Sequence, residues 1–373
     1  MTISLRIAFI CGCLESSKDG VADYTLILAK QLARPGHKPI CISLNDSFIC
    51  SSLNISPNVS VSDGILLVRF SSNCPWLQKY NHIKKILNDN EISILSLQYV
   101  PYAFSKKGIP FRLLVWLPLL GTSLKWHIMF HELWVDKSLK KSYYLLALLQ
   151  KIILKFLVNV LRPIEINTTN HYYQNLLLHE GIISNLLPLN SNISMVKVVP
   201  ASVTKPNRWV FIFFGSIHQE WKSELFFDRL DAICTKNLII ECNFILIGRS
   251  GVYGQNLWSS LTQKHKKLNF QIYGECSQEE ISRQLQLADF GVTTTPSHLI
   301  EKSGSVAAML SHGLPVIITR VTQNNTEWNH KLKVLPEFVL FDHDFEERLS
   351  SASKYTPHPI SNSSATNLIQ ALQ

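Results

Sequence analysis

The sequence predicts an α/β protein built from two doubly wound halves. Short apolar runs alternate with longer amphipathic stretches along most of the chain. Each half opens on an apolar run followed by a glycine-containing turn. The composition, 46% hydrophobic with only 17% charged residues, suits a chain that buries large cores. With 373 residues there is room for two domains of ordinary size.

In the first half, residues 5–12 (LRIAFICG) read as a strand, followed by a loop from Leu14 to Gly20. A helix over Val21–Arg34 follows, with Tyr24, Leu26, Ile27, Leu28 and Leu32 forming a broad apolar face. Gly36–His37 ends it, and Lys38–Leu44 resumes as a strand. That makes a βαβ unit whose first loop lies at the carboxyl end of the strands, where open α/β sheets bind ligands. Further strands are expected at Ile65–Phe70, Ile92–Leu97, Trp126–Phe130, Glu165–Thr168 and Met195–Val199. Between Asn185 and Arg208 the chain turns rich in Asn, Ser and Pro, which places a domain junction near Val203–Asn207. The expected division is 1–203, 204–350 and a tail, 351–373, packing back on the first domain.

The second half restarts with a strand at Trp209–Phe214, a turn at Gly215–Ser216 and a helix containing Leu225, Phe226 and Leu230. A strand at Asn243–Ile247, a loop from Gly248 to Gly254, a helix, a strand at Phe270–Tyr273 and a helix at Gln278–Leu287 come next. Residues 287–318 (LADFGVTTTPSHLIEKSGSVAAMLSHGLPVII) then read as one βαβ unit: a strand from Phe290, a turn at Pro296–Ser297, a helix from near Ser303 to Ser311, and a strand from Val316. A helix N-terminus leaves amides unpaired and carries partial positive charge. Ser303, Gly304 and Ser305, with Lys302 beside them, therefore form a candidate phosphate cradle. The alternative is that these residues only cap the helix.

The net charge of +9 is localised. Residues 79–162 carry 13 basic and 4 acidic side chains, and residues 201–373 balance at 16 of each. A basic region confined to one part of one domain suits an anionic surface as partner. Within it, residues 106–120 and 140–162 are strongly apolar as well as basic. The second segment sets Lys140, Lys151, Lys155, Asn159 and Arg162 along one helical face with Leu, Ile, Phe and Tyr opposite, as in a helix lying in a bilayer surface. A core-packed helix with a solvated basic face is the alternative. Lysines near the middle of a true span cost about 3 kcal/mol each, which argues against crossing. Lysines interleaved with aliphatic runs, without aromatic platforms, argue against nucleic acid. The eight cysteines are scattered without metal-ligand spacing and read as reduced thiols of a cytoplasmic protein.

Several runs carry a resemblance: FIFFGSIHQEWKSE (211–224), FILIGRSG (244–251), YGECSQEEISRQLQLADFGVTTTPS (273–297), SVAAMLSHGLPVI (305–317), DGVADYTLILAKQL (19–32), QYVPYAFSKKGIP (98–110) and FHELW (130–134). In order and spacing, over nearly the whole chain, they resemble retaining family-4-type glycosyltransferases. The resemblance implies a GT-B fold, with two Rossmann-like domains facing each other across a cleft. It implies transfer of a sugar from a nucleotide-sugar donor, and the basic, apolar region in the acceptor-side domain points to a membrane-lipid-linked or polysaccharide acceptor at the inner face of the membrane. No metal or other cofactor is implied.

By the same resemblance, Glu301 falls close to a glutamate near the donor sugar, although counting from Ser297 or Gly313 puts Ile300 there. A second, ribose-binding glutamate is replaced by Ala308. Lys222 lies one residue from a diphosphate-binding lysine, and Arg249 is an alternative cation. Together with Gly215, Ser216 and Lys302–Ser305 these form the donor side. His131 resembles a histidine at the donor sugar, and Asp19, Gly20 and Asp23 fall near the acceptor. A structural role for His131, and helix capping for both aspartates, are the alternatives. Ala308 also leaves open a non-catalytic partner or scaffold that has kept the fold. A sugar-nucleotide epimerase or phosphorylase on the same fold is the third class.

Overall fold

The computed structural model describes residues 4–16, 18–49, 56–121, 123–135, 143–197, 207–236, 239, 241–322, 326–357 and 363–373. The chain forms two compact units, Met1–Pro188 with Asn362–Gln373, and Leu189–Ser361. Most of the junction expected at Val203–Asn207 lies outside the described residues. The C-terminal residues belong to the first unit, where Ser364 Oγ donates to the Pro188 carbonyl at 2.9 Å.

Among the described residues, the strands of the first unit are β1 (Arg6–Cys11), β2 (Lys38–Asp46), β3 (Asn58–Ser62), β4 (Ile65–Ser71), β5 (Ile94–Tyr99), β6 (Lys125–Phe130), β7 (Glu165–Thr168) and β8 (Asn185–Leu186). They form one sheet in the order β3-β4-β2-β1-β5-β6-β7-β8. All neighbours are parallel except β3 with β4, an antiparallel edge pair. The helices are α1 (Gly20–Ala33), α2 (Trp76–Asp89), α3 (Pro101–Phe104), α4 (Phe111–Trp116), α5 (Tyr143–Leu161) and α6 (His171–His179). Parallel strands need crossovers that cover both faces, so the central strands are buried throughout, as in β5. That continuous burial is why they read as apolar runs.

The second unit contains β9 (Arg208–Phe214), α7 (Ser223–Lys236), β10 (Glu241–Ile247), α8 (Gly251–Lys264), β11 (Asn269–Gly274), α9 (Gln278–Leu287), β12 (Phe290–Pro296), α10 (Gly304–Ser311), β13 (Val316–Arg320), α11 (Thr326–Val334), β14 (Phe338–Leu340) and α12 (Phe345–Ser351). The last helix, α13 (Ser363–Leu372), returns to the first unit. The second sheet is wholly parallel in the order β11-β10-β9-β12-β13-β14. Its strand order reverses between β9 and β12, and this switch point is where a doubly wound sheet opens a crevice.

Three expectations need correction. Met195–Lys197 is not a strand: the Val196 amide donates to Ser282 Oγ at 3.0 Å, and Gln286 Nε2 reaches the Val196 carbonyl at 2.9 Å, so α9 takes the bonds a sheet neighbour would. Residues 198 and 199 lie outside the described residues. The strand β3 was not expected, because every side chain of NVSVS is exposed and no buried face marks it.

The third correction concerns α5, which connects the parallel neighbours β6 and β7. It buries Ala147, Gln150, Ile153, Leu154, Leu157 and Leu161. Gln150 is fully buried, accepting from the Val135 amide and donating to the Gly108 carbonyl. Lys151 and Lys155 do not form an open basic face: both bind Glu180, at the end of α6, and Lys151 also lies over the Trp134 ring. Lys155 and Asn159 stay exposed, but most of what faces outward is apolar, namely Tyr144, Leu145, Leu148, Leu149, Ile152, Phe156 and Val160. Lys140 lies outside the described residues. By length and composition α5 could cross a membrane, yet one of its faces packs in the unit's core.

Candidate functional site

At the switch point of the second sheet, a pocket is lined by Phe213 and Phe214 at the end of β9, the following Gly215–Ile217, Val292–Thr294 of β12, and Ser305 of α10. Gly215 turns the chain there with φ of +86°, a conformation that disfavours any other residue type. Its amide donates to the Ile247 carbonyl at 2.9 Å. The loops beyond the strands are stitched together: Ser216 Oγ reaches the Arg249 carbonyl at 3.5 Å, and the His218 amide donates to Thr294 Oγ1 at 3.0 Å.

The start of α10 forms one wall. Ser303 caps it, its hydroxyl accepting from the Val306 amide at 3.4 Å and lying 3.0 Å from Ser305 Oγ. The amides of Gly304 and Ser305 have no acceptor among the described residues. These are the orphan donors of a helix start, with the positive end of the helix dipole behind them. The helix sits close because Gly291 of β12 leaves room: a Cβ there would lie 2.4 Å from Met309 Sδ. Before α10, the turn Ser297–Lys302 is pinned by Ser297 Oγ donating to Asn329 Oδ1 at 2.9 Å and by Trp328 Nε1 donating to the Ser297 carbonyl at 2.9 Å.

Of the expected donor residues, Gly215, Ser216 and Ser305 line this pocket, and Ser303 and Gly304 belong to its helix wall. Glu301 and Lys302 are half-buried in the preceding turn. Lys222 and Arg249 are exposed on the loops after β9 and β10, and neither side chain lines the pocket. Ala308 is fully buried in the apolar cluster between α10 and the sheet, so that position presents nothing to a ligand.

Sequence reasoning missed Thr294, Arg320 and Glu220. Arg320 ends β13, binds Glu220 through Nη2 and reaches the Thr294 carbonyl at 3.5 Å, which brings a cation to the pocket's edge. The imidazole of His218 is held below its ordinary pKa by burial and then by the Arg320 charge. The end of a central strand was the one signal available for Arg320.

In the first unit, His131 follows β6, its amide donating to the Tyr99 carbonyl at 3.1 Å. Its ring is buried, lies 2.9 Å from Gln98 Oε1 through Nε2, and packs T-shaped against Tyr24 on α1 with ring centroids 4.8 Å apart. Burial pushes the Tyr24 phenol well up. Asp19 is the N-cap of α1, accepting from the Val21 and Ala22 amides at 2.9 and 2.8 Å. Gly20 is exposed at the helix start, and Asp23 accepts from Ser16 Oγ at 3.2 Å. Tyr24 thus links the start of α1 to His131, and the capping role expected as the alternative for Asp19 is present.

No family model matches the sequence, and no curated protein matches it. Solved structures do match over its length. The catalytic domain of starch synthase IV from Arabidopsis thaliana, bound to ADP and acarbose, aligns with 99% of this chain and 99% of its own at a TM-score of 0.57 and 11% identity. Anabaena HepE in complex with UDP-glucose aligns over 98% and 99% at 0.54 and 14%. A Listeria monocytogenes protein assigned as a UDP-N-acetylglucosamine 2-epimerase aligns over 99% and 96% at 0.56 and 8%. At such identities the likeness defines the class by fold: this is a GT-B protein, with two Rossmann-like domains.

Proposed function

We propose that this GT-B protein is a glycosyltransferase that takes a nucleotide-sugar donor in its second unit. The observation that carries the reading is the pocket at the β9/β12 switch point, where Ser305, in the first turn of α10, lines the same space as the Gly215–Ser216 turn. A diphosphate suits such a wall because fixed N–H dipoles stabilise anionic oxygens without reorganising. Starch synthase IV with ADP and HepE with UDP-glucose are neighbours of the same fold, which supports the ligand class.

In this reading an acceptor hydroxyl oxygen bonds to the anomeric carbon as the bond from that carbon to the phosphate oxygen breaks. The acceptor adds on the face from which the phosphate departs, so the configuration is retained, and the nucleoside diphosphate leaves with the electron pair and takes up the acceptor's proton, so no protein base is required. The amides of Gly304 and Ser305 and the cations Lys302, Arg249, Lys222 and Arg320 are assigned to supply positive charge against the leaving group. Glu301 and His131 are assigned to the donor sugar. Asp19, Gly20 and Asp23, at the start of α1, are assigned to the acceptor side. The reading assigns no metal, because protein cations and amides serve the phosphate.

The acceptor is a membrane-lipid-linked or polysaccharide substrate at the cytoplasmic face. What supports a membrane surface is the exposed apolar side of α5 together with Phe111 and Val115 of α4 and Leu119, beside exposed Lys106, Lys107 and Arg112. A second reading, a non-catalytic partner on the same fold, is favoured by Ala308, which leaves α10 without a carboxylate.

Calorimetry with UDP, GDP and ADP, followed by transfer assays with the matching sugar nucleotides, tests the proposal. Diphosphate binding with turnover is expected. Binding without turnover favours the partner reading, and no binding to any diphosphate refutes the donor site. Sedimentation with anionic vesicles tests the surface separately: Ile152→Asp/Phe156→Asp should abolish it, and unchanged sedimentation removes α5 from the contact.

A further inference from the structure

A buried chain of polar side chains runs across β5, β6 and β7 of the first unit, apart from the pocket of the second. Its polarity can be worked out from one end. Asn167 Nδ2 donates to Glu165 Oε1 at 2.9 Å and to the Asn185 carbonyl at 3.2 Å. A carboxylate and a carbonyl only accept, so the Asn167 amide can face them only with its NH₂. Its Oδ1 is therefore turned to His127 Nε2, 2.9 Å away. An amide oxygen also only accepts, so His127 must carry its proton on Nε2.

The next links follow in turn. His127 is fully buried, which holds it neutral, with its pKa lowered to about 4. Its Nδ1 is then an acceptor, and the Ser96 hydroxyl, at 2.7 Å, donates to it. Ser96 has one proton to give, so its oxygen receives Gln98 Nε2 at 2.7 Å. Gln98 therefore presents Oε1 to His131 Nε2 at 2.9 Å. Every member between Asn167 and Gln98 is buried, so water does not scramble the order.

We infer that Asn167, His127, Ser96 and Gln98 are positioning residues that hold His131 in the Nε2–H tautomer. The ring's orientation is set by the hydrogen bond to Gln98 and by T-shaped packing against Tyr24. A partner that fixes a histidine's tautomer decides which nitrogen a ligand can meet. The consequence for sugar transfer rests on the glycosyltransferase reading, whereas the tautomer does not.

The test is ¹⁵N NMR of histidine-labelled full-length protein at pH 7.5, with His127 and His131 assigned by His127→Gln and His131→Gln. Both rings should show a protonated Nε2 and an unprotonated Nδ1, with neither nitrogen averaged. Gln98→Leu should average the His131 signals between the two tautomers and lower kcat about tenfold with KM nearly unchanged. Gln98→Glu, whose carboxylate still accepts from Nε2–H, should restore the His131 signals. A protonated Nδ1 on either ring, or His131 signals unmoved by Gln98→Leu, would overturn the inference. If Gln98→Leu does not fold, the wild-type spectrum decides. Correct tautomers in a protein that transfers no sugar would refute the enzyme reading and leave the chain of hydrogen bonds standing.

Discussion

Replacing Gly291 with alanine isolates the contact that sets α10 against β12. The added methyl would lie 2.4 Å from Met309 Sδ, 3.1 Å from its Cγ and 3.3 Å from its Cβ. Non-bonded heavy atoms sit at about 3.5–4 Å, so Met309 must move by roughly 1 Å, and the close Cβ means that a rotamer change alone does not clear the clash. Overpacking of this kind costs about 1–3 kcal/mol. Alanine stiffens the unfolded chain relative to glycine, which returns about 0.4–1 kcal/mol. The expected net loss is about 1–2 kcal/mol, read as a lower urea midpoint by near-ultraviolet circular dichroism. Met309→Ala alone should cost about 2–5 kcal/mol through the cavity it leaves. The double variant should cost less than the sum by about 1–2 kcal/mol, because the methyl enters the vacated space. Since α10 carries Ser303–Ser305, nucleoside diphosphate affinity should fall in Gly291→Ala and recover in the double variant. Strict additivity, or a Gly291→Ala protein as stable as the parent, would refute the claim that this glycine positions the helix.

Two further outcomes are expected. Asp19→Ala should lose about 1 kcal/mol of stability and Asp19→Asn almost none, because asparagine still accepts from the Val21 and Ala22 amides; equal losses would show that the cap is not what Asp19 contributes. Stability should also fall on acidification. The pKa of His127 is about 4 when folded and about 6.5 when unfolded, so the unfolded chain takes up the proton first. Its contribution is complete above about pH 6.5 and decays towards pH 4, a loss of about 3 kcal/mol. His312 and His218, both lowered chiefly by burial, act in the same direction. Urea midpoints at pH 7.5 and 4.5 measure this, and a slope unchanged in His127→Gln would remove His127 as its source.

Much of the fold was legible because parallel strands are buried on both faces and so appear as unbroken apolar runs, as in FILI of β10. Edge strands give no such signal, and β3 has no buried face at all. In the site, Gly215 and Ser303–Ser305 were legible because turns and helix starts demand particular residue types. Arg320 and Glu220, one hundred residues apart, were not, since nothing local ties one to the other. The lysines of α5 show the same limit: their helical spacing was visible, but Glu180, which binds them, comes from the end of another helix.

Alone, the sequence determined the alternation of strands and helices, the two glycine turns and the position of the serine-rich helix start, because each depends on the conformational preferences of neighbouring residues. Only the tertiary structure decided that Ala308 faces the core, that the outward side of α5 is mostly apolar, and that Gln98, Ser96, His127 and Asn167 form one directed chain ending at His131. Those facts depend on which distant segments the sheet order makes neighbours, and sheet order is set by the packing of the whole unit.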